Sequence, residues 1–168
     1  LQEVCKQLHI PIVGTTSWPL PREAREILRE SNPCPFTAAD LEERLIGTSE
    51  FMPRSAIVCL FPYHVPHEGP TNLSRYTWAT DYHLVVTDYL QCLVDELKTN
   101  APDALFSIHC DTSPLADRYM AYLAGLGFYG RNKCFINPTW GSYIVIGTVL
   151  TTLEFEPNTP MTDTCKIG

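Results

Sequence analysis

The chain should fold as an α/β domain with at least four strands, and three features of the sequence say so. Ser55–Phe61 (SAIVCLF) and Ser142–Leu150 (SYIVIGTVL) are near-continuous apolar runs of strand length. Such runs suit central strands covered on both faces. Leu105–Cys110 alternates apolar and polar residues, as a half-buried strand does. Tyr82, Val86, Tyr89, Leu90, Leu93 and Leu97 recur at helical spacing, which predicts a long amphipathic helix from about Asp81 to Lys98.

In chain order, LQEVCKQL at the start has a helical pattern, and Ile10–Val13 is a short strand ending at Gly14. Pro21–Glu30 opens on proline and is rich in helix formers. Asn32–Pro35 is a breaker, and Thr37–Ile46 is a further helix with Thr37 as N-cap and Asp40 in the capping-box position. The loop Pro62–Pro70 holds His64 and His67; two histidines without a third ligand suit a solvated loop better than a metal site. After the strand ending at Cys110 comes Asp111, then Ser113 as N-cap and Pro114 as first helical residue. Leu115, Tyr119, Tyr122 and Leu123 share one face of that helix, which Gly125 and Gly127 stop. Gly147 interrupts the last strand and marks a close approach of backbone or ligand. Glu154–Pro160 is an acidic, proline-bearing connector.

The 168 residues suffice for one domain with a sizeable core. No apolar run reaches the length of a membrane-spanning helix, and the N-terminus lacks the pattern of a signal peptide. A cytoplasmic protein is expected, with further residues upstream of the opening helix. The formal charge of −7 makes the domain a poor stand-alone nucleic-acid binder. Seven cysteines, an odd number with no CxxC pair, indicate a reducing compartment and no disulfide framework. Cys59, Cys92, Cys110 and Cys134 lie in apolar segments, where a thiol acts as a small hydrophobe. Gly125-x-Gly127-x-x-Gly130 has the spacing of a dinucleotide fingerprint but follows a helix instead of a strand, so it is rejected.

Asp111-Thr-Ser-Pro114, Ala124-Gly-Leu-Gly-Phe-Tyr-Gly-Arg-Asn132, Ile136-Asn-Pro138 and Gly141-Ser142 resemble, in order and spacing, the epoxyqueuosine reductase family pattern V-D-T-G-P, R-A-G-L-G-W-I-G-K-N-T, I-N-P and G-S. Leu73–His83 (LSRYTWATDYH) is similar to that family's R-Y-A-x-G-x-D-Y-H, with Ala79 where the family has glycine. Thr148 and Thr152 stand where the family commonly has Glu and Asp. The resemblance is weak over residues 1–50 and good over 51–160.

The resemblance implies a mostly antiparallel central sheet flanked by helices, similar to nitroreductases and cobalamin-processing proteins. It also implies a cobalamin-dependent enzyme with two 4Fe–4S clusters that reduces epoxyqueuosine to queuosine in tRNA, with an electron-donor protein as a further partner. Residues 1–160 would form the cobalamin-binding catalytic domain, expected to be monomeric, and 161–168 the start of a ferredoxin-like cluster domain, with Cys165 as its first ligand. Asp111 would donate a proton to the epoxide oxygen, although a residue in that position can equally cap or turn. Arg44, Arg75, Tyr76, Tyr82, His83, Asn132, Phe135 and Ile146 would contact the cofactor. Two alternatives stand beside this reading. One is a reductive dehalogenase-like enzyme, in which a tyrosine donates the proton. The other is a non-enzymatic corrinoid-binding or trafficking module.

Overall fold

The computed structural model describes residues 1–31, 51–63, 72, 74–78, 80–111, 113 and 115–162. Helix α1 (Gln2–Gln7) leads into β1 (Ile12–Ser17), then α2 (Arg22–Ser31) and β2 (Ser55–Pro62). A single 3₁₀ turn, Arg75–Trp78, precedes α3 (Tyr82–Asn100) and β3 (Phe106–Cys110). Helix α4 (Asp117–Leu123), the short strands β4 (Phe128–Tyr129) and β5 (Phe135–Ile136), and the long strand β6 (Ile144–Thr151) complete the order.

Strands β1, β2, β6 and β3 lie side by side in that order, every pair antiparallel. The apolar runs take the two central places: from Ser55 to Leu60 every residue of β2 is buried. The alternating segment takes an edge, where among the described residues only β6 pairs with it. Alternation along the strands divides the core into two layers. Ala56, Val58, Leu60 and Leu150 face Met120 and Ala121 of α4 and Ala24 of α2. Ile57, Cys59 and Val149 face Val86, Leu90, Leu93, Val94 and Leu97 of α3 and Cys5 of α1. The described part of the chain is thus an antiparallel sheet with helices on both faces.

Gly147 shows how the sequence sets one critical spacing. It pairs with Cys59 on one side and Cys110 on the other. An added Cβ would come within 2.8 Å of Val86 Cγ1 and 2.9 Å of Leu90 Cδ1. The close approach anticipated at this glycine is therefore made by α3. Tyr82, Val86 and Leu90 are spaced four apart on one helix face. Seating Val86 and Leu90 against Gly147 therefore delivers Tyr82 one turn earlier, at the end of the sheet.

Some boundaries differ from expectation. Strand β1 runs on through Gly14 instead of stopping there, because the missing Cβ lets it pass the Ala124 carbonyl after α4. Ser113 does not cap a helix at Pro114. Its hydroxyl accepts from the Leu115 N–H at 3.3 Å in a local turn, and α4 begins only at Asp117. Helix α4 ends as foreseen: Gly125 adopts φ 71, with Gly125 N–H on the Tyr122 carbonyl and Leu126 N–H on that of Ala121. These are the paired bonds of a Schellman stop. Cys59 and Cys110 are buried, but Cys92 lies on the exposed side of α3 and Cys134 on the outside of the β4–β5 hairpin. The helix expected at Thr37–Ile46 and the histidines His64 and His67 lie outside the described residues.

After β6 the chain runs back across the sheet to β1. Asn158 and Thr15 bond reciprocally: Thr15 N–H donates to Asn158 Oδ1 at 2.7 Å, and Asn158 N–H to the Thr15 carbonyl at 2.9 Å. The Thr15 hydroxyl adds a bond to the Glu156 carbonyl at 2.7 Å. The connector thereby covers backbone groups on the free edge of β1 that would otherwise be exposed.

Candidate active site

Asp111 lies one residue beyond β3. The register pairing Cys110 with Gly147, carried one step further, sets it level with Ile146 of β6. Its φ is 56, in the left-handed region that residues with a side chain seldom occupy. Such outliers concentrate at functional sites. The side chain is 64 % exposed. Tyr82 Oη donates to Asp111 Oδ2 at 2.5 Å, and His83 Nε2 lies 3.6 Å from the same oxygen. On the far side of the imidazole, Nδ1 is 2.8 Å from Asp81 Oδ1, which also accepts the His83 N–H at 2.9 Å and so caps α3. These bonds from His83 hold the Asp81 carboxyl below its ordinary range. The Tyr82 and His83 rings stack with centroids 4.0 Å apart. Asp81, His83, Asp111 and Tyr82 are therefore one polar network, built where the N-terminus of α3 meets the end of β3.

A second carboxyl stands behind it. Asp117, in the first turn of α4, has Oδ1 buried without a hydrogen-bond partner among the described residues. Burial and, next, the charge of Asp111 push it up to about 7. A helix beginning at Pro114 would have aimed its positive end at Asp111; beginning at Asp117, it leaves Asp111 outside the helix. The Cys110 thiol is pushed up to about 11 by burial, then by Asp111, Asp117 and Asp81.

Beside this network an open cleft of about 540 Å³ is lined by His83, Thr87 and Gln91 of α3, by Ile108, His109 and Cys110 of β3, and by Ser113. It follows the edge of β3 that pairs with no other strand among the described residues. Ser107 Oγ is 2.8 Å from His109 Nε2, and burial lowers the His109 pKa. Across the strand pair sits Thr148, its hydroxyl buried and without a partner among the described residues. Neither His109 nor Asp117 was singled out from the sequence. The i, i+2 spacing of Ser107 and His109 on one strand face, and the acid six residues after Asp111, were the available signals.

Of the residues expected at the site, the structure brings Tyr82, His83 and Asp111 together. Arg75 and Tyr76 belong to the 3₁₀ turn just ahead of α3. Ile146 is partly buried against the α4-side core, beside the Asp111 level. Asn132 is exposed and shapes the β4–β5 turn, accepting the Cys134 N–H at 3.0 Å. Phe135 is 4 % exposed, in the core and edge-on to Tyr129, so its ring serves packing. Arg44 and Cys165 lie outside the described residues. The Ile-Asn-Pro motif also has a structural role: buried Asn137 donates to the Leu126 carbonyl at 2.8 Å, and its Oδ1 accepts from Thr139 and Trp140.

The fold just described recurs in solved structures. A B12-dependent reductive dehalogenase matches 95 % of this chain and 20 % of its own length, with a TM-score of 0.55 and 13 % identity. Several epoxyqueuosine reductases match more closely. One is bound to a tRNA-Tyr epoxyqueuosine-modified stem loop. Another, from Bacillus subtilis, has its aspartate catalytic loop swung out of the active site. Each superposes with a TM-score of 0.76 at 23 % identity, over 98 % of this chain and 48 % of the other. The chain therefore has the fold common to epoxyqueuosine reductases and this dehalogenase.

Sequence comparison narrows the class. The family model for epoxyqueuosine reductase QueG, DUF1730, matches residues 49–112, which run from ahead of β2 through Asp111. The epoxyqueuosine reductase of Gloeobacter violaceus is 34 % identical over 75 % of this chain and 39 % of its own length. That of Staphylococcus aureus is 38 % identical over 55 % of this chain and 24 % of its own length. Over these stretches the chain is similar to epoxyqueuosine reductases, and it spans well under half the length of these curated relatives.

Proposed function

We propose that this chain supplies the cofactor-facing and proton-donating part of an enzyme that reduces epoxyqueuosine to queuosine in tRNA, with Asp111 as the acid. The observation that carries the reading is the Asp111 carboxyl, exposed on a left-handed residue at the sheet end and gripped by Tyr82. Opening an epoxide releases an alkoxide, and a positioned acid lowers that barrier by delivering a proton to the oxygen. In this reading Tyr82 fixes the orientation of the carboxyl, and His83, anchored by Asp81, fills the remaining side of it. The B. subtilis relative with its aspartate loop swung out supports an acid carried on a movable loop.

The cofactor in this reading is a corrinoid. The cleft fits one edge of such a group: it is open, and its polar side chains His83, Thr87, Gln91, His109 and Ser113 suit an amide-fringed macrocycle. Tyr82, His83 and the turn carrying Arg75 and Tyr76 would hold it, with Ile146 and Asn132 as further contacts. A bound corrinoid would supply the reducing electrons. No group of three or more His, Cys, Asp or Glu side chains suited to a metal ion occurs among the described residues. The two 4Fe–4S clusters and an electron-donor protein belong to the reading of the full-length enzyme. Among the described residues no helix is long and apolar enough to cross a membrane.

The test is Asp111→Asn in the full-length protein, compared with Tyr82→Phe. Asp111→Asn should retain the visible absorption of its cofactors and lose on the order of a hundredfold in turnover of epoxyqueuosine tRNA. Tyr82→Phe should lose less, since the acid remains. Near-normal turnover by Asp111→Asn would refute its role. If Tyr82→Phe is the more damaging change, the proton comes from the tyrosine, as in the dehalogenase-like alternative.

A further inference from the structure

The chain is acidic overall, but its charges are unevenly spread. From residue 118 to residue 153 there are three cations, Arg118, Arg131 and Lys133, and no Asp or Glu. The fold gathers them. Arg118 Nη1 donates to the Lys133 carbonyl at 3.0 Å, tying the first turn of α4 to the tip of the β4–β5 hairpin. The tip is held by its own bonds: Gly130 N–H to the Cys134 carbonyl and Lys133 N–H to that of Gly130, both at 2.9 Å. Lys133 adopts φ 61 there, so Arg131 and Lys133 are presented from a fixed turn. All three cations are exposed, and none forms an ion pair among the described residues.

An aromatic row adjoins them. Tyr119 and Tyr122 stack at 5.9 Å, and Tyr129 of β4 follows at 6.1 Å from Tyr122. Arg118 is close enough for its charge to offset part of the rise that burial causes in the Tyr129 hydroxyl. Exposed cations that form no ion pair among the described residues, beside aromatic rings, suit a ligand that carries phosphates and flat bases together. The surface also shares α4 with Asp117 and so borders the Asp111 network.

We propose that Arg118, Arg131 and Lys133 form a phosphate-contacting surface that seats the RNA strand of the substrate next to the reacting site. This rests on the functional reading above and adds the surface that would hold the RNA. Three contacts are few, so they would position the strand and leave most of the affinity to the rest of the protein. Each phosphate neutralised releases counterions, and the logarithm of the binding constant then falls against the logarithm of salt by about 0.7–0.9 per contact.

The experiment uses the full-length protein and an anticodon stem-loop RNA, with binding titrated across salt concentrations. The variant is Arg131→Gln with Lys133→Asn, since asparagine tolerates the left-handed backbone at that position. Arg118 is left in place because it ties the hairpin. The salt dependence should become shallower by about 1.4–1.8, with cofactor absorption unchanged. An unchanged slope in a variant that still binds overturns the proposal. Loss of corrinoid absorption with an unchanged slope also overturns it, because the cations then serve the phosphodiester of a cofactor tail. If the wild-type protein binds no stem loop at all, the functional reading fails and this surface with it.

Discussion

Replacing Asp117 with asparagine should remove a pH-dependent cost of folding. Burial and the charge of Asp111 raise this carboxyl from its ordinary 3.8 to about 7. Between those values the folded chain holds a proton that the unfolded chain has lost. Stability therefore falls as pH rises from about 4 to 7, and the loss is complete above 7. The full difference corresponds to about 4 kcal/mol at most, and the part lost between pH 5 and 8.5 to roughly 2–3 kcal/mol. Asparagine is isosteric and never ionises. Thermal melts of both proteins from pH 5 to 8.5 should show the variant gaining on the wild type by this amount, about 5–10 °C for a chain of this size. Titrating groups common to both proteins cancel in the comparison. Asp111 is the second cause of the shift, so the gain should shrink in an Asp111→Asn background. A difference between the two melting curves that stays constant with pH would refute the reasoning.

Two further changes probe how the site is held. Gly147→Ala should cost about 1–3 kcal/mol in denaturant unfolding, because the new methyl group overpacks Val86 and Leu90, whose side-chain ends can yield only in part. No loss of stability there would mean that α3 is not seated on this glycine. Asn158→Ala leaves the Thr15 N–H without its acceptor and should cost about 1–3 kcal/mol. Hydrogen exchange of residues 153–162 should quicken with it, and unchanged protection would show that the connector is held by other contacts.

The parts of the fold legible in the sequence were those where one periodicity dominates. β2 is apolar from Ala56 to Phe61 because helices cover both of its faces, and α3 buries Val86, Leu90, Leu93, Val94 and Leu97 on the face that meets the sheet while the other meets solvent. The β4–β5 hairpin was hidden for the opposite reason: two-residue strands have no period to detect, and the flanking Gly127 and Gly130 carry a second, turn-forming signal. Strand order was equally out of reach, since pairing β6 between β2 and β3 joins segments far apart in sequence.

The site divides along the same line. Asp111, Tyr82 and His83 could be named in advance through matched motifs, while composition alone would have left Asp111 as a turn residue. That bland reading is partly true, because its left-handed φ does make a turn. Turning is also what frees the carboxyl from the sheet and offers it to Tyr82. Asp117 could not be found this way, because its distinction depends on where α4 begins. Ser113 and Pro114 looked like a helix start, but the Ser113 hydroxyl is spent on the next turn and the helix waits until Asp117. That delay of three residues places the second carboxyl in the helix's first turn, with one oxygen buried and without a partner among the described residues. It also leaves Asp111 outside any helix. The difference in burial between two acids six residues apart is thus set by the packing of one short helix, which no local pattern in the sequence records.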